Sequence, residues 1–135
     1  MPAAATNLDR MRDWRLASGA FFLLLAFRVA LPLLGYRRVR EILPTRSVPP
    51  PDALVVRVVR SIAGASRLAH ANCLAQACAA RTLFAMKGHG VTMRVGVKQG
   101  YTQLEAHAWL LANGRIILGS AVDNFDMYRP IADFD

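Results

Sequence analysis

Residues 72–120, NCLAQACAARTLFAMKGHGVTMRVGVKQGYTQLEAHAWLLANGRIILGS, decide the fold because their pattern changes once, near Val91. Before that point a run of small and apolar residues opens on Asn72, a good capping residue, and stops at Gly88 and Gly90. A helix is expected there. After it come three β-rich runs, TMRVGVK, QLEAHAWLLA and RIILGS, separated by Gln99-Gly100 and Asn113-Gly114. An Asn-Gly pair between two such runs is a strong signal for a two-residue hairpin. In this context Gly88-His89-Gly90 reads as a helix stop, not as a phosphate-binding loop.

Upstream, Asp52 is placed to cap another helix, in which Leu54, Val55, Val58, Val59 and Ile62 form one apolar stripe while Arg57, Arg60 and Arg67 lie elsewhere. That stripe is core packing. Ser47-Val48-Pro49-Pro50-Pro51 is a stiff, extended connector. Before it, Leu16 to Tyr36 is the most apolar stretch and has the length of a membrane span. Arg28 near its middle costs about 2.5–3.5 kcal/mol on insertion, and Pro32 disturbs its second half. A helix packed against the rest of the domain is therefore favoured over a spanning one. The chain reads as α+β, N-terminal helices followed by a small antiparallel sheet. Residues 1–51 form a helical wing with its proline connector, and residues 52–135 the main body.

At 135 residues this is one domain with one modest core. The net charge of +8 is uneven: residues 1–60 hold ten basic and four acidic residues, the remainder seven and five. An acidic partner, an anionic lipid surface or a nucleic acid would belong with the first half. No secretory signal is evident, since Asp9 and Asp13 interrupt the N-terminus, so a cytosolic location is expected.

Two cysteines sit five residues apart on one expected helix, roughly 8 Å between Cα atoms, beyond disulfide reach. Cys73 falls in the first turn, where unpaired amides and the helix dipole favour a thiolate. Cys78, about 140° around the helix, lacks that advantage and reads as a small buried residue. His107 lies on a strand, with Trp109 and Leu111 on its own face. A thiol at a helix start followed by a histidine on a later strand is the order in which papain-like folds assemble a Cys–His pair. No carboxylate stands across from His107: counted back from the Asn113-Gly114 turn, it faces Ser120. Asp123 is the first acid beyond, Asp126 the next, and Glu105 shares the face of His107; Asp123 is favoured as the group orienting the imidazole. His70, Cys73, Cys78, His89 and His107 match no compact metal-ligand spacing, so neither metal nor other cofactor is expected.

Asn72-Cys73-Leu74 with Gln76, then Lys87-Gly88-His89-Gly90 leading into Met93-Arg94-Val95-Gly96-Val97, then Glu105-Ala106-His107-Ala108-Trp109, resembles the peptidase of lasso-peptide biosynthesis, the B protein or its C-terminal half. The pattern covers residues 67–132, Tyr128-Arg129-Pro130 resembles the family's usual ending, and the apolar helix of 14–42 resembles the N-terminal part of stand-alone members. The resemblance implies a transglutaminase-like, papain-like core and a cytoplasmic cysteine protease that cuts the leader from a ribosomally made precursor. In it Cys73 is the nucleophile, His107 the base and an aspartate the orienter. It also implies a separate leader-recognition protein and an ATP-dependent cyclase as partners. Many members carry the aspartate about twelve residues after the histidine, where this chain has Gly119; Asp123 then serves after a bulge, or another group does.

Two other readings stay open on the sequence. The same Cys–His machinery passes acyl groups to amines in transferases. A basic module binding a membrane surface through 14–42, a nucleic acid or a partner, in which Arg37, Arg38 and Arg40 matter, would need no Cys73 at all. On the peptidase reading nucleic acid is not an expected partner.

Overall fold

The computed structural model describes residues 7–35, 38, 39, 41, 43, 46–69, 72–99, 104–118 and 129–134, with only the backbone given for some of these. Among the described residues, three long helices precede the sheet: α1 (Asn7–Leu34), α2 (Asp52–Ala69) and α3 (Cys73–Met86). Four strands follow among the described residues: β1 (Thr92–Gln99), β2 (Leu104–Ala112), β3 (Arg115–Leu118) and β4 (Arg129–Phe134). They form one antiparallel sheet in the order β3-β2-β1-β4. The expected α+β architecture is the one observed, with one strand more than expected.

α3 is the centre of the molecule. It packs against α1 and α2 on one side and β2 on the other, and Ala75, Ala77, Cys78, Ala79, Ala80, Leu83 and Phe84 are all buried along it. Such a helix cannot be amphipathic, and its alanines let three neighbours approach closely. Its C-terminus closes as a Schellman motif: Gly88 takes φ +86°, its amide bonds to Ala85, and the His89 amide reaches back to Phe84 at 2.9 Å.

α1 and α2 run side by side in the same direction. Nε of Arg57 meets Asp13 at 3.2 Å near one end, and Nη1 of Arg28 donates to the carbonyl of Ala69 near the other. The cation in the middle of the apolar run thus caps the C-terminus of α2, where carbonyls lack helical partners and the dipole favours positive charge. α2 buries Val58 and Ile62 from the expected stripe and extends it through Ala65 and Ala69, while Leu54, Val55 and Val59 are only half-buried. Its cap differs from expectation. Pro51 is the residue whose carbonyl accepts the first helical amides, those of Leu54 and Val55. Asp52 stands one position inside, its carboxylate 3.3 Å from Arg115.

The proline connector is fastened to the loop that follows α3. The Gly90 amide donates to Val48 at 2.8 Å, and Nδ1 of His89 donates to Pro49 at 3.2 Å. A Cβ on Gly90 would lie 1.8 Å from the carbonyl oxygen of Arg46, so only glycine admits this approach.

The β2–β3 turn is the one expected. Asn113 and Gly114 take φ 52° and 76°, the two positive values of a type I′ turn, and Ala112 pairs with Arg115. The straight count from that turn fails two residues later, because Leu110 pairs with Leu118 and Leu111 with Ile116. The extra residue on β3 is a bulge, so the straight count does not hold along β3; Ser120 itself lies outside the described residues. Arg129 and Pro130 open β4. Pro130 pairs with Gly96 beside a second irregularity, between Val95 and Gly96, on an edge strand where a missing amide is tolerated.

Candidate active site

The site begins with one capped helix turn. Asn72 has extended backbone angles, φ −76° and ψ 172°, and its Oδ1 accepts the amide of Ala75 at 2.8 Å. Its carbonyl accepts the amide of Gln76 at 3.0 Å. The amides of Cys73 and Leu74 precede that first internal bond, so they belong to the unsaturated, positive end of the helix. Cys73 is the first helical residue, half-buried and not in a disulfide. This is the expected placement, fixed by the side chain of the residue before it.

Cys78 is the contrasting case. It is fully buried, and burial pushes its thiol up to about 12, with the Arg81 guanidinium pulling weakly the other way. The neutral thiol is its form at physiological pH, consistent with a packing role. Arg81 is itself 4% exposed, the single charge between Asn72 and Met86. Sequence reasoning assigned it nothing, although a lone charge within an apolar helix is a signal of a specific buried environment.

His107 is half-buried on β2, its ring 4.8 Å from that of Trp109 at an interplanar angle of 66°. Trp109 is almost wholly buried, so this edge-to-face contact holds the imidazole against a fixed wall. Across the sheet His107 pairs with Gly96, so the residue directly opposite it on β1 has no side chain.

The helix opened by Cys73 and the strand carrying His107 lie against each other. Ala108, Leu110 and Ala112 join the core that includes α3, while His107 and Trp109 alternate with them along the strand. Among the described residues no hydrogen bond joins Sγ of Cys73 to the His107 ring. The fold therefore brings the two elements together, but His107 lies on the face of β2 opposite the residues that pack on α3, and the two side chains are not bonded. Asp123 and Asp126 lie outside the described residues, as does the side chain of Glu105. Among the described residues no three His, Cys, Asp or Glu side chains cluster as metal ligands.

A family model described as the transglutaminase-like superfamily matches residues 21–133, most of the chain. Comparison with curated proteins and with solved structures returned no match.

Proposed function

The chain belongs to the transglutaminase-like superfamily, a group of cysteine-based peptidases and acyltransferases, and from that premise we propose that it is a thiol peptidase removing the leader from a ribosomally made lasso-peptide precursor. The observation that carries the reading is the Asn72-capped start of α3, which presents Cys73 half-exposed at the positive end of a core helix lying against the His107 strand.

The Cys73 thiolate attacks the scissile carbonyl, and the tetrahedral intermediate collapses to an acyl-enzyme as His107 gives its proton to the leaving amine. Water, deprotonated by His107, then releases the leader as a free acid. The amides at the start of α3 are placed to hold the oxyanion, a contribution typically worth about 2.7–4 kcal/mol. Asp123 orients the imidazole in this proposal. A separate leader-recognition protein delivers the precursor in the cytoplasm, and an ATP-dependent cyclase consumes the freed amine.

Mass spectrometry of a precursor incubated with the chain, its leader-binding partner and an added primary amine tests the reaction type. A leader carrying a free C-terminal acid is the expected product. A leader joined to the amine would replace hydrolysis by acyl transfer.

A further inference from the structure

α1 has two apolar faces, and the domain covers only one of them. Leu16, Ala20, Leu24 and Phe27 are buried; Met11, Trp14, Phe22, Val29 and Leu33 are exposed, Trp14 by 74% and Leu33 by 77%. At 100° per residue the exposed set falls within an arc of roughly 100°, opposite the buried set, along about 33 Å of helix. An exposed apolar stripe of this length is not the normal surface of a soluble domain.

We propose that this outer face rests on a membrane surface containing anionic lipid, with α1 lying in the plane of the interface. Charge decides the occupant. The chain carries +8, and residues 1–60 hold ten of its basic residues against four acidic ones. Arg15, Arg60 and Arg67 are exposed. Arg57 and Arg60 also line an apolar groove of about 620 Å³ that runs between α1 and α2 beside Trp14, Phe22 and Leu68. With its inner apolar face taken up by the domain, α1 presents to the outside an apolar ridge flanked by arginines and carrying an exposed tryptophan, which suits a surface resting at a membrane interface. Length and composition would also permit Asp13–Leu34 to cross a membrane. Crossing, however, would strip the buried stripe from the core and break the Arg28–Ala69 and Arg57–Asp13 contacts, so the helix lies on the bilayer.

The test is co-sedimentation of the full chain with vesicles of equal parts phosphatidylcholine and phosphatidylglycerol, alongside vesicles of phosphatidylcholine alone, with tryptophan emission read in parallel. Trp109 is 1% exposed, so a blue shift on binding reports Trp14 and disappears in Trp14→Phe. Binding to the anionic vesicles, weakened by salt, is expected. The double variant Phe22→Ser, Leu33→Ser alters only exposed positions and is checked for folding by circular dichroism. It should lose about a hundredfold in partitioning. Absence of anionic-vesicle binding would overturn the proposal, as would binding that the double variant leaves unchanged. So would a lipid-free dimer with Trp14 already shielded, which the same variant converts to monomer: it would assign the face to a second copy. None of these outcomes depends on the peptidase reading.

Discussion

Oδ1 of Asn72 accepts the amide of Ala75 at 2.8 Å, so a single side chain ties down the turn that presents Cys73. Asn72→Ala removes that bond and should cost about 1 kcal/mol of stability, with Asn72→Ser recovering most of it. Because the frayed turn also carries Cys73, alkylation at that thiol should change in the alanine variant and return toward wild type in the serine variant. Urea unfolding and iodoacetamide kinetics check the two effects separately.

The two cysteines should behave as different chemical species. Iodoacetamide at neutral pH should label Cys73 in the folded protein and Cys78 only after unfolding, read by peptide mapping.

Cys78 also gives a pH signature. Its thiol is raised from 9.0 to about 12 by burial, so below about pH 9 both folded and unfolded chains keep the proton. Above that, the unfolded thiol ionises first, and stability falls until the pH passes the folded value, by up to about 1.4 kcal/mol per pH unit. Cys78→Ala should lack this component. Urea midpoints from neutral to alkaline pH, under reducing conditions, should show wild type losing stability faster than the variant.

Gly90→Ala places a Cβ against the Arg46 carbonyl, 1.8 Å away on the backbone as it stands. The connector must move, losing the Gly90–Val48 bond, and a stability loss of roughly 3 kcal/mol or more is expected. Chemical denaturation measures it. A loss below about 0.5 kcal/mol would mean that the connector is not held there.

Much of this fold is legible in the sequence because its signals are local. Asn72, the Gly88 stop and the Asn113-Gly114 turn act through neighbouring backbone, and each appears where its chemistry requires. What was not legible depends on distant contacts. β4 is hidden because Pro130 argues against a strand until Gly96 and an edge position accommodate it. The β3 bulge leaves no clear mark in Arg115–Leu118. For α1, a helix apolar on every side does not announce which face the domain will cover. The candidate site divides the same way. Cys73 can be placed from its cap, and His107 from its strand, but the group that orients the imidazole is set by tertiary packing that the strand pattern does not encode.

The central claim is that Cys73 is the nucleophile of a leader peptidase. It is tested most directly by incubating a lasso-peptide precursor and its leader-binding protein with wild type and with Cys73→Ala, and following the products by mass spectrometry. Wild type should release leader and core peptides while the variant, folded by circular dichroism, releases none; equal cleavage by both would contradict the account.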